Sequence, residues 1–375
     1  MKRFLLLFVL LITSSLLPAA AAQIDTISFD LDIQVQIYQP DPTLEHDQEK
    51  FPTLYIIDGQ HFIHSAIGYQ RSLNWRNSSS PEFIVVAIDT HRIGDSSARR
   101  RELLNQDSVE LIDLIEKDIV PYVDEHYPAS NMRLFAGWEH AGGFALDLLT
   151  TRPDLFDSFL FASSPNLSAE RLKNVEQLFA SAEASKDTLN KRLYLALGSQ
   201  ENYAIEGFDK LKELSHDYPS QLEVHYKLSS DLSHFTTPID LFTSGLAWVF
   251  ADYPALIFYD INEIHAFGGV PAVKDYFAKR GQRYHVSSTV SENTKFTMAR
   301  HAVDANDLEL FLAIERDLEK LDQQEFPPYW GHFFANFLLK HDQLQRAEEI
   351  IRSVLSRHPE IPQLIELNKC LHQQK

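Results

Sequence analysis

The sequence predicts an α/β protein, with a mostly parallel, doubly wound sheet followed by a small all-α region. Two observations carry this reading. Short β-branched and aromatic runs alternate with helical segments as far as about Pro254, the pattern of strands joined by crossover helices. Beyond that point no convincing strand run remains, and the periodicity is helical.

The chain opens on a targeting pattern. Lys2 and Arg3 precede an apolar run from Phe4 to Ile12, and small residues follow to Ala20, Ala21 and Ala22. A charged start, a short apolar centre and a small-residue end describe a cleavable signal peptide over residues 1–22. The mature chain is then expected to begin near Gln23, secreted or periplasmic. The rival reading is an uncleaved anchor, but the run is too short to cross a bilayer of about 30 Å as a helix. No later segment is long and apolar enough to do so, so no membrane span is expected after signal cleavage.

Residues 23–254 carry the strand runs. Ile27 to Tyr38, ISFDLDIQVQIY, largely alternates and suits a half-buried strand, with an antiparallel pair expected at that edge of the sheet. LYIID (Leu54 to Asp58) and FIVVAID (Phe83 to Asp89) are continuous apolar runs, as strands buried on both faces require. Residues 60–80 between them can form a crossover. Ser108 to Tyr127 reads as an amphipathic helix, with Val109, Ile112, Ile115, Ile119 and Val123 at helical spacing. RLFAG from Arg133, FLFAS from Phe159, LYLALG from Leu193 and LEVHYKL from Leu222 are further strands, separated by helical segments. Residues 255–375 read as helical. Trp330 to Pro359 resembles a tetratricopeptide-like hairpin with small Ala347 in its second helix, and residues 295–321 look like a degenerate copy about 36 residues earlier. A plain helical appendage packed on the first domain is an equal rival.

Composition narrows the partners. The net charge is −19, from 53 acidic against 34 basic residues, which argues against nucleic acid or an anionic membrane surface. The single cysteine, Cys370, excludes an internal disulfide, so the fold must rest on its core. The lone cysteine and scattered histidines offer no metal-ligand spacing, and no G-x-G-x-x-G or P-loop appears. No metal and no nucleotide cofactor is expected.

The informative segment is RLFAGWEHAGGFAL, Arg133 to Leu146. A strand runs into Gly137, Ala141 stands four residues later, Gly142 follows, and a helix begins. This is the spacing of a nucleophile elbow, G-x-S-x-G, whose sharp turn needs small neighbours on either side of the nucleophile. The middle position holds Glu139 instead of serine.

With these residues the stretch from about Ile27 to Phe250 resembles the putative-esterase family of α/β-hydrolases, the group of enterobactin-type and S-formylglutathione-hydrolase-like enzymes. LYIIDGQHF resembles its strand and turn ending in D-G-x, and DIVPYVDEHYP its helix before the elbow. FASSPNLS resembles the segment after the next strand, and SHFTTP the loop that bears the catalytic histidine. The resemblance implies an α/β-hydrolase fold and carboxylic-ester chemistry. By position, Glu139 takes the nucleophile slot, His234 the base and Glu201, in GSQENY, the acid, in the chain order this fold requires. Oxyanion donors would be the backbone N–H groups of His140 and Gln60. Each has a plain rival. His234 is one of sixteen histidines, and Glu201 resembles an ordinary solvated carboxylate. The His140 side chain is expected in helix packing, Trp138 in packing, and Ser163 and Ser164 in turn roles.

Glutamate changes the chemistry. A carboxylate, with a reference pKa near ~4.3, is ionised and weakly basic. Attack on an ester would give an anhydride by expelling an alkoxide that is the better nucleophile, so the intermediate would revert. Elbow aspartates of this fold attack saturated carbon, but glutamate is longer by about 1.5 Å. The expected protein is therefore esterase-like with catalysis lost or altered. It would bind a small-molecule ester or ester-like ligand, with a protein partner expected on the helical region. The alternative is a non-catalytic binding or scaffolding protein. A Glu139–His234 pair is one way the carboxylate could be held.

Overall fold

A computed structural model of the chain describes residues 24–40, 48–73, 79–90, 96–106, 109–318 and 328–373. The leader expected at residues 1–22 lies outside them, as do residues 74–78 of the first crossover and the end of the segment at 319–321. Among the described residues no helix is long and apolar enough to cross a membrane.

Eight strands form one sheet: β1 (Ile24–Phe29), β2 (Ile33–Tyr38), β3 (Phe51–Ile57), β4 (Ile84–Asp89), β5 (Ala129–Trp138), β6 (Ser158–Ala162), β7 (Lys191–Gly198) and β8 (Leu222–Ser229). Their order is β1-β2-β4-β3-β5-β6-β7-β8. β1 and β2 pair antiparallel, β2 meets β4 antiparallel, and every later pairing is parallel. The alternating run from Ile27 to Tyr38 is two strands rather than one. A tight turn at Asp30–Asp32, with Leu31 and Asp32 both at φ 58°, reverses the chain so that Phe29 pairs with Ile33. The reversal keeps the period of two, which hides it from a pattern reading.

Side chains of period two divide the core between the two faces. Tyr55, Ile57, Val86, Phe135, Phe159 and Leu195 lie in one buried cluster, and Leu54, Ile56, Val85, Leu134, Leu160 and Tyr194 in the other. Both faces are apolar because helices cover both. α1 (Gly59–Leu73) and the later segment α8 (Thr237–Asp240), a π turn (Leu241–Gly245) and α9 (Leu246–Val249) lie on one side. Short α2 (Ser96–Leu103) precedes α3 (Glu110–Leu114), which continues through a π-helical turn (Ile115–Ile119) into α4 (Val120–His126) on the other. Ser108, the expected start of this helix, lies outside the described residues, and Val109, assigned to its apolar stripe, is exposed at the N-cap of α3. α5 (His140–Thr151), α6 (Ala169–Ser185) and α7 (Asn202–Asp217) complete that layer.

The helical region runs through α10 (Ile261–Phe267), α11 (Gly269–Tyr284), α12 (Glu292–Asp304), α13 (Leu308–Asp317), α14 (Tyr329–Lys340), α15 (Leu344–Arg357) and α16 (Pro362–Gln373). Successive hairpins stack: α10 packs on α12, α12 on α14 and α14 on α16, around a core of their own. The two hairpins α12–α13 and α14–α15 use equivalent turns, with Asn306 and Asp342 both left-handed. Small Ala347 is fully buried, and Gly331 admits Val354 where a Cβ would come within 2.8 Å of it.

The two parts are joined through the end of α11. Tyr284 is fully buried in the sheet-side cluster, edge-on to Tyr253 at 5.1 Å and to Phe250 at 6.0 Å. The connecting chain is fastened by side chains of α11 and α12. Arg280 bonds the Tyr253 carbonyl, Tyr276 the Pro254 carbonyl, Thr294 the Leu256 carbonyl and His301 the Phe258 carbonyl. Removing a buried aromatic ring leaves a cavity that only partly collapses. Tyr284→Ala is therefore expected to cost about 3–5 kcal/mol, read from the denaturant midpoint. A loss under about 1 kcal/mol would show that α11 is not integral to the hydrolase core.

Candidate active site

Strand β5 delivers Glu139 into a sharp turn. Its backbone stands at φ 57°, ψ −119°, a region that L residues rarely adopt, before α5 begins at His140. The turn closes because its neighbours are small. A Cβ on Gly137 would lie 2.5 Å from that of Ala141, and one on Gly142 would lie 1.8 Å from the Ser164 hydroxyl. The Glu139 N–H donates to the Ala162 carbonyl at 2.9 Å, which ties the turn to β6.

The Glu139 carboxylate is held by Arg100, whose Nη1 lies 2.7 Å from Oε2. Arg100 is itself buried. Its Nε is 2.9 Å from both Asp58 oxygens, and Nη2 donates to Asp58 Oδ2 at 2.7 Å and to the Trp138 carbonyl at 3.0 Å. Asp58 follows β3 directly with φ 61°, is 1% exposed, and also accepts from the Thr90 hydroxyl. One guanidinium therefore joins two carboxylates from adjacent strand ends. Burial works against the Arg100 charge, but Asp58 and Glu139 outweigh it and raise its pKa. The His140 imidazole, Nδ1 3.6 Å from Oε2, together with Arg100 and the charge of His234, lowers the Glu139 pKa to about 2. At 3.6 Å the His140 contact is electrostatic, and the Arg100 bond is the anchor.

Beside this cluster stands His234, in the loop after β8. Its Nδ1 is 2.7 Å from Glu201 Oε1, and the Tyr203 hydroxyl lies 3.1 Å from the same nitrogen while donating to Glu201 at 2.6 Å. The other Glu201 oxygen accepts from the Ser163 hydroxyl at 2.7 Å and the Gly198 N–H at 2.8 Å. Burial pushes the Glu201 pKa up, but the bonds from Ser163, Tyr203, His234 and Gly198 outweigh it and hold it below the ordinary value. Trp138 Nε1 donates to the His234 carbonyl at 2.9 Å, with its ring 4.8 Å from the imidazole. With Nδ1 engaged by Glu201, Nε2 is the nitrogen left to act as a base.

The fold thus gathers Glu139, His234 and Glu201, each at the C-terminal end of a parallel strand. Because β3 and β5 are neighbours, with Ile56 opposite Ala136, α1 and α5 begin side by side. Gln60 and His140 lie in the first turns of those helices, where N–H groups have no intrahelical acceptor. The described contacts pair Glu139 with Arg100 and His140 rather than with His234, which acts on it only through space. The His140 side chain turns towards Glu139 instead of into helix packing. Ser163 is fully buried at φ 51° and braces Glu201. Sequence reading missed Arg100, Asp58 as its partner, and Tyr203. Arg100 is the middle of three consecutive arginines, and nothing in the sequence marks it out. Tyr203, two residues after Glu201, was open to notice as a hydroxyl beside the acid. Among the described residues no cluster of three or more His, Cys, Asp or Glu is placed to hold a metal.

Known proteins share this fold. The Esterase family, described as Putative esterase, matches residues 27–226. A search of curated proteins finds no match. An IroE-like serine hydrolase from Shewanella oneidensis is 16% identical, with a TM-score of 0.54 over 79% of this chain and 98% of its own. A protein from Capnocytophaga ochracea is 14% identical, with a TM-score of 0.64 over 94% of this chain and 100% of its own, so the shared fold includes the helical extension. The siderophore hydrolase EstA from Aspergillus nidulans is 19% identical, with a TM-score of 0.51 over 67% of this chain and 99% of its own.

Two tests follow from the cluster. Arg100→Ala leaves the Asp58 charge buried without its cation and is expected to cost about 3–5 kcal/mol. A loss below about 1 kcal/mol would mean that water reaches Asp58. The Glu139 pKa falls from the model-compound value of 4.5 to about 2 on folding. A lowered pKa means that the ionised group stabilises the fold above pH 4.5, and that this contribution fades as the pH falls towards 2. Wild type should exceed Glu139→Gln by about 1–2 kcal/mol at neutral pH, with the gap closing on acidification. A gap independent of pH would refute the pairing.

Proposed function

Because the chain belongs to the putative-esterase family of α/β-hydrolases, we propose that it is a secreted or periplasmic, esterase-derived protein whose pocket binds a small ester or ester-like ligand. In this reading, carboxylic-ester hydrolysis by the serine route is lost or altered. One observation carries it: the nucleophile position holds a carboxylate clamped by Arg100, with its pKa lowered to about 2.

A group with so low a pKa is a poor base for water and a poor nucleophile towards an ester. Its orientation is set by a guanidinium fixed on Asp58, so it is not free to follow a reacting carbonyl. The rest of the apparatus persists. His234 and Glu201 keep a hydrogen bond of 2.7 Å, and the backbone amides at His140 and Gln60 are independent of the missing hydroxyl. A cavity of about 840 Å³ opens beside the site between α6 and α7, lined by Leu167, Leu172, Tyr203 and Ile205 together with Glu206, Asp209 and Glu213, and Tyr203 is what joins it to the His234–Glu201 pair. Exposed Phe235 adds an aromatic surface beside Trp138.

The alternative is a binding or scaffolding protein in which the helical extension takes a protein partner. The stacked, tetratricopeptide-like hairpins support it. A ligand in the old pocket favours the first reading, and binding confined to the extension favours the second.

The test is hydrolysis of p-nitrophenyl acetate and butyrate. Wild type is expected to run at the uncatalysed rate, and Glu139→Ser to gain turnover. Adding His234→Ala to Glu139→Ser should remove that gain by on the order of 10³-fold or more. Turnover by wild type that Glu139→Ala abolishes would mean catalysis altered to use the glutamate rather than lost, and no turnover by either wild type or Glu139→Ser would sink the esterase-derived reading.

A further inference from the structure

A second cavity, with mixed polar and apolar walls, lies at the opposite end of the sheet from the elbow. It occupies about 460 Å³, within the range of small-molecule sites, where β5, β6 and β7 begin. Its walls are Asn131 and Met132 of β5, Asp157 and Ser158 at the start of β6, Asn190 and Arg192 at β7, and Arg283 of α11. The hydrolase unit and the helical extension therefore build it together.

Register explains the placement. Leu134, Ser158 and Arg192 are successive cross-strand partners, so Ser158 shares the sheet face on which Tyr284 packs. Ser158 is 1% exposed, and its hydroxyl has no hydrogen-bond partner among the described residues. A buried hydroxyl without a partner is unusual in a folded protein, and a ligand oxygen in the cavity would supply one. Asn190, held at φ 48°, and Asn131 each bring an amide that both donates and accepts.

Charge decides the ligand class. Arg192 is spent: it bonds Glu223 at 2.8 Å and the carbonyls of Val249 and Trp248, and it stacks on the Trp248 ring. Arg283 is neutralised by Asp252 at 2.7 Å. With Asp157 also in the wall, no net positive charge remains to hold an anion. Amides, a hydroxyl, a paired guanidinium and a carboxylate form a mixed donor and acceptor set. Such a set matches a neutral molecule whose every oxygen both donates and accepts.

We propose that this interdomain cavity is a binding site for a neutral sugar of one or two rings, seated on Ser158, Asn190 and Asn131 and closed by Arg283. Since it touches both units, a bound sugar fastens α11 to the sheet and raises the melting temperature in proportion to occupancy.

The experiment titrates the purified chain with D-glucose, N-acetylglucosamine and maltose, and with sodium phosphate as the anion probe, by calorimetry and thermal melting. At least one sugar is expected to bind in the millimolar range and raise the melting temperature, and phosphate to do neither. Ser158→Ala should weaken sugar binding about tenfold, the worth of one well-made hydrogen bond. It should leave the unliganded melting temperature unchanged or higher, because the hydroxyl removed has no partner. Asn190→Gly, which keeps the left-handed backbone, is the second variant and should weaken binding likewise. Binding of phosphate in place of sugar, no binding by any probe, or sugar binding untouched by both variants would overturn the proposal.

Discussion

Arg100 stands where the hydrolase unit brings two strand ends together, and the character of the candidate site depends on it. Its guanidinium meets the Asp58 carboxylate after β3, the Trp138 carbonyl at the end of β5 and the Glu139 carboxylate on the elbow. Asp58 is 1% exposed, and a bare carboxylate there would be strongly disfavoured. A planar fork is suited to this geometry, because it can bond both oxygens of one acid while a further N–H reaches a second. A lysine would offer a point charge without that fixed spread.

The same cation governs what the elbow can do. The backbone of Glu139 sits in a strained conformation that the neighbouring small residues make room for, and strain of this kind clusters at functional sites. In a serine esterase the side chain on such a turn faces a histidine that takes its proton. Here the carboxylate faces Arg100 instead, and the His234–Glu201 pair stands beside it with its own hydrogen bonds intact. The turn is kept tight by its small neighbours, and the Glu139 side chain belongs to the Arg100 network.

The parallel sheet positions both ends of the hydrolase unit. At the C-terminal ends of the strands, Asp58, Glu139, Ser163 and Glu201 follow β3, β5, β6 and β7 within a few residues. At the N-terminal ends, the extension closes on the sheet through Tyr284 and Arg283. The extension is thus part of the same packed body. Its connecting carbonyls are claimed one after another by Arg280, Tyr276, Thr294 and His301, which leaves little freedom at the joint.

The strand runs, the mostly parallel α/β architecture, the helical second region and the tight small-residue turn around Glu139 were all legible in the chain alone. Each is a local property: apolar runs of four to eight residues and small-residue spacing are set by neighbours in sequence. The reversal at Leu31 was hidden because a hairpin preserves the alternation of a single strand. Val109 has the spacing of the apolar stripe but stands at the N-cap of α3, where it is exposed. What tertiary structure alone decided is the partnership of charges. Arg99, Arg100 and Arg101 are alike in sequence, and only the packing of α2 against the sheet turns Arg100 inward to Asp58 and Glu139 while Arg101 remains exposed. A contact between residues some forty positions apart leaves no periodic trace, so the chain names the glutamate but the fold chooses what holds it.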